Sequence, residues 1–434
     1  MRILLFGDIP GIPQLMRHFQ PQYLVGIVCA VIRPQYHAAL SEIAQSHHLP
    51  LLIQPKVNSQ DYPAFKEAVN RLAPDLILVN SYSMIVREEI LAIPRLGGIN
   101  IHGALLPQYR GCNPTQWAIL NGESLTGVTM HEMSAGLDEG RIIDQRAVPM
   151  FFEDSWQSAS TRITRATDDL IAANLDALLA GNWQARPQDD AKAKYCRRRT
   201  PDDGLFDWSE PVIAIYNKIR ALLPPLPPAY YLDASGTRVP MLQQLTPWEI
   251  AALKYGRVGG GAMVAKRVRL RALRREDSPL LYEWINQREL VILNAPYHPV
   301  SEVDHESWLE SMLQKRSDLV IFVIEDIASG QAIGSSQLRN INWRHRNAEL
   351  QIRIGDQRFQ NQGLGSEAVQ LLCRFGFDDL NMHRIYLSVF KNNERAIGAY
   401  RKCGFVEEGV MREAAFIDGQ WLDVTMMGLL NDQR

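Results

Sequence analysis

Asn100 and His102 close the apolar run GGINIH, so in a strand their side chains share one face. Gly103, Pro107 and Gly111 then break the chain into a loop. A second strand-like run, TGVTMHEM, follows, and Asp138 sits in the glycine-flanked turn SAGLDEG. Acyl transfer to an amine needs three things: a donor for the oxyanion, a group that moves a proton near neutrality, and something to orient that group. The Asn100 amide, the His102 imidazole and the Asp138 carboxylate supply one each. Alone, an Asn-x-His is usually a strand-end pair and an LDEG usually a turn. Their gathering in one window is what points to chemistry.

A second set lies far downstream. Gln360-Asn361-Gln362-Gly363-Leu364-Gly365 fits Q-x-x-G-x-G at the entrance of an amphipathic helix. Glycines there let backbone N–H groups face outward, and the helix N-terminus adds positive potential, which suits a pyrophosphate. The strand RIYLSVF then leads into NNERAIGAYRKCGF, which carries Asn393 and Tyr400. Glu349, in AELQIRI, is a candidate base, and its bland alternative is a charge on an exposed strand face. Between the two sets, CRRRTPDDGLFDW offers Arg198 and Arg199 to a diphosphate, and Asp202 and Asp203 to sugar hydroxyls or an ammonium. The bland reading is a solvated charge run capping a turn.

The elements that must position these groups follow from periodicity. ILLFG, YLVGIVCAVI, LPLLIQ, DLILVN and GGINIH are short apolar runs separated by amphipathic stretches, the mark of a mostly parallel sheet covered on both faces. Ligands of such sheets bind beyond the carboxyl ends of the strands, where Asn100 and His102 fall. Residues 155–181 read as a long helix with Ile163, Ile171, Leu175, Leu178 and Leu179 on its apolar face. A small accessory segment, mostly irregular or β, is expected over 191–253. KYGRVGGGAMVAK, at 254–266, reads as a linker in which nothing stable forms. A further mixed α/β domain then runs over 267–434, with strands RVRLRAL, LVIFVIED, QAIGSSQL and AELQIRI and helices SPLLYEWIN and HESWLESML.

At 434 residues the chain exceeds one ordinary core, so several domains are expected. A formal net charge of −2 gives no global basic field for nucleic acid or an anionic membrane. Five scattered cysteines without a CxxC pair fit free thiols in a reducing cytosol, and no metal site is expected. MRILLFGDIPG reads as a first buried strand, not a leader, and no apolar run approaches the roughly 20 residues of a membrane span. The expected location is cytoplasmic.

The window from Asn100 through LLPQYRG, TGVT and LDEG resembles the formyltransferases that use 10-formyltetrahydrofolate, over about residues 1–245. The resemblance implies a Rossmann-like domain over 1–190 with Asn100, His102 and Asp138 as its catalytic set. It also implies a folate pocket built from Met84, Ile85 and Val86 with Ser134, Ala135, Gly136 and Leu137. Cys112 departs from relatives that formylate sugar nucleotides, which leaves local folate contacts less defined than the chemistry. From Val268 onward the chain resembles the acetyl-CoA acetyltransferases of the GNAT superfamily. That likeness implies that Tyr400 protonates the leaving thiolate and that Glu349 acts as base. Asn393 and Gln360 to Gly365 then serve the cofactor. The opening LRREDSPLLYEWINQREL is similar to the branch with ribosomal-protein and amino-sugar acetyltransferases.

Two acceptors compete for the formyl group. A methionyl-tRNA formyltransferase would carry a β-barrel domain with a basic RNA-facing surface, and residues 191–253 lack a sustained basic face. The loop at 196–208 instead resembles one in sugar-nucleotide N-formyltransferases. The expected protein is therefore a bifunctional enzyme that formylates and acetylates nucleotide-linked amino sugars of a surface polysaccharide or nonulosonic acid. Its partners would be that substrate and a second copy in a homodimer, with no nucleic acid and no membrane. The alternatives are a methionyl-tRNA formyltransferase-like enzyme fused to a protein N-terminal or antibiotic acetyltransferase, or a chain in which one domain is catalytically silent.

Overall fold

The computed structural model describes residues 1–257, 262–292, 299–313 and 318–433. They divide into two compact units, Met1–Asp203 with Arg220–Leu223, and Gly204–Ile219 with Pro224–Arg434.

In the first unit each expected buried run becomes a strand: β1 (Ile3–Gly7), β2 (Leu24–Ala30), β3 (Leu51–Gln54), β4 (Leu76–Asn80) and β5 (Gly98–His102). They lie parallel in the order β3-β2-β1-β4-β5. Helices α1 (Gly11–Met16), α2 (His37–Ser46), α3 (Tyr62–Arg71) and α4 (Glu88–Leu91) fill the connections. The two-residue strand β6 (Arg110–Gly111), helix α5 (Pro114–Leu120) and the antiparallel strands β7 (Leu125–Glu132) and β8 (Ile142–Pro149) come next. The unit continues through α6 (Trp156–Ala180) and β9 (Tyr195–Cys196). Strand β7 is antiparallel to β5, and β8 closes the edge. One core packs Leu5, Ile27, Leu78 and Ile101 against Ile171 and Leu178 of α6. The opposite core packs Phe6, Ile77 and Val79 against Phe65, Val69 and Ile90. Burial on both faces explains why these strands are continuously apolar and not alternating. Helix α6 starts at Ser155, whose hydroxyl accepts from the Ser158 N–H, and ends at Gly181 in the left-handed region, close to the expected 155–181.

One expectation for the middle of the chain holds only in part and another is corrected. Residues 191–253 are largely without regular structure, but they also hold α7 (Val212–Ala221), a short hairpin of β10 (Tyr230–Leu232) and β11 (Arg238–Pro240), and the start of α8 (Pro247–Arg257). Proline-rich LLPPLPPAYY hid the helix before it. Phe206, Trp208 and Tyr231 pack ring against ring at 5.2–5.8 Å and anchor this segment. The expected linker at 254–266 contains the end of α8 and strand β12 (Ala262–Val264), while 258–261 lie outside the described residues. Lys254 is half the reason. Its Nζ donates to Asp379 Oδ1 at 2.7 Å and to the Glu210 carbonyl at 2.9 Å, and such a buried, paired lysine does not belong to a free tether.

The second unit then builds β13 (Val268–Ala272), α9 (Ser278–Asn286), α10 (Arg288–Val291), α11 (Glu302–Leu313), β14 (Val320–Asp326), β15 (Ala332–Asn342) and β16 (Asn347–Ile354). After it come α12 (Leu364–Arg374), β17 (Arg384–Phe390), α13 (Glu394–Lys402), and a hairpin of β18 (Val406–Ile417) and β19 (Gln420–Leu430) that the sequence reading did not isolate. The sheet runs β12-β13-β14-β15-β16-β17-β19-β18. Its neighbours are antiparallel except β16 and β17, which are parallel and pair only from Asn347–Arg384 to Glu349–Tyr386. Beyond Glu349 the two strands part, and a cavity of about 470 Å³ lies there.

Candidate active sites

In the first unit the strand register does the gathering. Asn100 on β5 faces His131 on β7, and His102 faces Thr129. Asp138 comes from the β7–β8 turn with φ +56°, a left-handed conformation that aims its carboxylate back at the strands. Asn100 Nδ2 donates to Asp138 Oδ1 at 3.2 Å and to His131 Nε2 at 3.2 Å. His102 Nδ1 lies 3.5 Å from Asp138 Oδ2, and His131 Nε2 lies 3.5 Å from Oδ1. The Gly111 N–H adds a hydrogen bond of 2.8 Å to Asp138 Oδ2. The three residues picked from sequence therefore converge on one carboxylate.

Tautomers follow from the partners. His102 Nε2 is 2.7 Å from the Tyr109 carbonyl, which only accepts, so Nε2 carries the proton and Nδ1 the lone pair. His131 is fixed likewise by its Nδ1–H on the Glu132 carbonyl at 2.7 Å, which leaves Nε2 to accept from Asn100. Burial alone would raise the Asp138 pKa. The approach of His131, the neighbouring His102 and the Gly111 N–H outweigh it and bring the carboxyl down to about 2. Burial pushes His102 below its ordinary value, against the opposing pull of Asp138 and the Tyr109 carbonyl. A neutral imidazole thus stands beside a fixed negative charge, with its free lone pair turned toward that charge.

Asn100 differs from expectation in detail. Both hydrogens of its amide go to Asp138 and His131, so the group it presents is its oxygen, not a donor for an oxyanion. A carboxylate and an imidazole lone pair draw those hydrogens because both are strong acceptors. His131 is the residue that sequence reasoning passed over. Its signal was available in TGVTMHEM, where alternation puts it on the face of Thr129, opposite Asn100.

The expected folate wall is mixed. Ile85 and Leu137 are exposed at 65% and 48%, and Ser134 and Ala135 are exposed as well. Met84 and Gly136 are half-buried, Val86 belongs to the core, and the Ile85 carbonyl already accepts from Gln54 Nε2 at 3.0 Å. Residues 196–203 are tied to the same site. Cys112 N–H donates to the Cys196 carbonyl at 3.0 Å, and Arg199 N–H to Asn113 Oδ1 at 3.3 Å. Within this loop Asp203 is held by Arg197 and by the Thr200 N–H, Asp202 is exposed, and Arg198 donates to the Ser83 carbonyl at 2.8 Å. Arg199 is different. Its Nε and Nη1 are buried with no hydrogen-bond partner, and burial pushes its pKa down against the pull of Asp203.

Gly111 carries two duties. With φ +110°, it runs so close to β9 that a Cβ would lie 2.3 Å from the Cys196 carbonyl oxygen. Gly111→Ala is expected to cost about 1–3 kcal/mol and to lower the calorimetric unfolding midpoint. An unchanged midpoint would show that β9 yields freely.

In the second unit Tyr400 of α13 and Glu349 of β16 line the cavity between the parted strands. Burial, then the nearby Cys403 thiol, push the Tyr400 hydroxyl up to about 12, so it stays protonated near neutrality. Glu349 is buried, not exposed, and both of its oxygens are taken: Arg339 Nη2 donates to Oε1 at 2.8 Å, and Asn340 Nδ2 to Oε2 at 2.8 Å. Gly363 is left-handed at φ +81° and caps α12, whose first residues Leu364 and Gly365 line the same cavity with Gln360 and Asn361. Gln362 points elsewhere, its amide on the Arg358 carbonyl at 2.6 Å and its own carbonyl taken by Arg267. Asn393 caps α13 through Oδ1 on the Ala396 N–H at 3.2 Å while still lining the cavity. A helix entrance beside a long cleft fits the pyrophosphate and arm of a coenzyme A thioester. Among the described residues no helix is long and apolar enough to cross a membrane.

Residues 14–175 match the family model described as Formyl transferase, and residues 267–406 match that of the Acetyltransferase (GNAT) domain. Methionyl-tRNA formyltransferase of Geobacter sulfurreducens is 39% identical over 192 residues, covering 44% of this chain and 59% of its own length. That of Synechococcus sp. (strain JA-2-3B'a(2-13)) is 31% identical over 299 residues, covering 62% of this chain and 91% of its own. The solved spermidine N-acetyltransferase of Vibrio cholerae, with CoA and spermine, is 34% identical over 38% of this chain and 96% of that one, with a TM-score of 0.36. The first family draws its formyl group from 10-formyltetrahydrofolate and the second its acetyl group from acetyl-CoA. This chain belongs to the formyl transferase family and carries a GNAT acetyltransferase domain behind it.

Proposed function

We propose that the chain formylates and acetylates amines of nucleotide-linked amino sugars. When bound, 10-formyltetrahydrofolate supplies an activated one-carbon unit and acetyl-CoA a thioester. In the first site Asn100 Oδ1 accepts from the acceptor amine, which enters the step neutral after giving one proton to solvent, and His102 takes at Nδ1 the proton that nitrogen sheds as it attacks. The resulting imidazolium faces Asp138 and can stabilise the oxyanion before passing its proton to the leaving nitrogen. Asn100 and His131 hold the carboxylate in place. In the second site Tyr400 protonates the departing thiolate. Glu349, with both oxygens held by Arg339 and Asn340, takes the amine's proton through a water and not as an open base.

The observation that carries the choice of acceptor is Arg199, a half-buried arginine whose Nε and Nη1 are buried with no hydrogen-bond partner and whose backbone N–H donates to Asn113, two residues from the Gly111 that caps Asp138. Buried donors left unsatisfied call for an acceptor, and a diphosphate supplies one. The absence of a barrel supports the same reading: among the described residues, 204–257 form two helices and one short hairpin. A second reading, formylation of methionyl-tRNA, is favoured by the likeness to enzymes of that name at 31–39% identity. Supplying purified protein with both donors, a panel of nucleotide-linked amino sugars and methionyl-tRNA, with mass spectrometry of the products, separates them. Formyl on methionyl-tRNA, with no amino sugar modified, would reject the proposal.

A further inference from the structure

The strand register places three cross-strand pairs in a row: Arg339 with Glu349, Gln337 with Gln351, and Ser335 with Arg353. Strand alternation puts all six side chains on one face of the sheet. That face is turned away from α12, because the residues of opposite parity, Ala348 and Leu350, are buried and Ile354 reaches Gly365 of that helix. Four of the six, Arg339, Glu349, Gln351 and Arg353, line the cavity, and such a polar wall is unusual unless something polar is received there.

Its charges do not cancel. Arg339 pairs with Glu349, whose other oxygen is taken by Asn340. Arg353 has no hydrogen bond and no ion pair among the described residues, and its Nε is buried. It lines the same cavity as Glu349 and Tyr400. Burial pushes its pKa below the ordinary arginine value, as expected of a desolvated cation lacking a counter-charge, yet arginine remains charged. The glycine loop and the entrance of α12 line another part of the same cavity, with Arg395 donating to Asn361 Oδ1 there at 3.2 Å, so the cofactor's phosphates have donors of their own.

We infer that Arg353 receives an anionic group of the acetyl acceptor, a phosphate or carboxylate on the molecule that bears the amine. The second site would then take anionic amines and turn away polyamines. This rests on reading the second unit as an N-acetyltransferase, but it does not require the acceptor to be an amino sugar.

The test measures binding of inorganic pyrophosphate by calorimetry to the full chain saturated with CoA. Wild type, Arg353→Gln and Arg353→Lys are compared, and the calorimetric unfolding of each preparation reports whether the second unit is folded. Arg353→Gln is expected to lose one pyrophosphate site or weaken it at least about tenfold, with the lysine variant in between. Pyrophosphate binding identical in all three would overturn the inference. So would an equal loss of CoA affinity, which would assign Arg353 to the cofactor. A parallel acetylation panel compares glucosamine 6-phosphate, glucosamine, a nucleotide-linked amino sugar and spermidine. Preference for spermidine would also overturn it. Turnover of the sugar phosphate alone would keep this inference and reject the nucleotide-sugar reading.

Discussion

Replacing His102 with asparagine is expected to lower formyl transfer by about 10²- to 10⁴-fold while acetyl transfer by the same polypeptide is retained. Asparagine keeps a hydrogen-bonding group near the Tyr109 carbonyl but offers no titrating nitrogen at the position of Nδ1. Asp138→Asn should come close to the same loss, since that carboxylate gathers Asn100, His102, His131 and the Gly111 N–H at once. The pH profiles tell the two variants apart. Burial lowers the His102 pKa, and the Asp138 charge partly restores it. Removing that charge lets the imidazole pKa fall further, so the acid limb of residual activity in Asp138→Asn moves to lower pH. A limb that moves upward, or does not move, would mean that the titrating group is not His102. Stability has its own signature. Asp138 has a folded pKa of about 2 against an ordinary 3.8, so its stabilising effect is complete above the ordinary value and lost as pH falls toward 2. Acid unfolding of the wild type, but not of Asp138→Asn, should carry this component.

Much of this arrangement was legible beforehand, and what was not has physical reasons. Apolar runs marked the five parallel strands of the first sheet, whereas β8, IIDQRAVP, mixes apolar and polar residues and was not singled out. Asn100, His102 and Asp138 could be chosen because residue type and glycine context coincide. The direction of the Asn100 amide could not, since it depends on His131, a partner across β5 and β7 that only the register reveals. Lys254 misled for the opposite cause. It stands next to a glycine-rich stretch, yet its ammonium is paired with Asp379, far away in sequence. Arg353 was invisible as a functional residue because a lone arginine in a strand carries no motif. Its meaning lies in the absence of a partner, which sequence does not record.

Tyr400→Phe gives the sharpest reading of the second site. The substitution removes one oxygen and conserves the ring, which packs against Phe405 with centroids 5.9 Å apart. If the ring alone matters, the variant behaves as wild type. If the hydroxyl delivers the proton to the thiolate, the acetyl-transfer kcat should fall by roughly 10²-fold with little change in the KM for acetyl-CoA. The raised pKa of about 12 adds a constraint. A hydroxyl that remains protonated through the working range contributes no alkaline limb below pH 10, so the wild-type profile should show no decline attributable to it. Increasing solvent viscosity distinguishes the remaining case. Wild-type turnover limited by product release slows in viscous buffer, whereas the phenylalanine variant, limited by chemistry, should not. Equal sensitivity in both would place the slow step elsewhere and deny Tyr400 its role as acid.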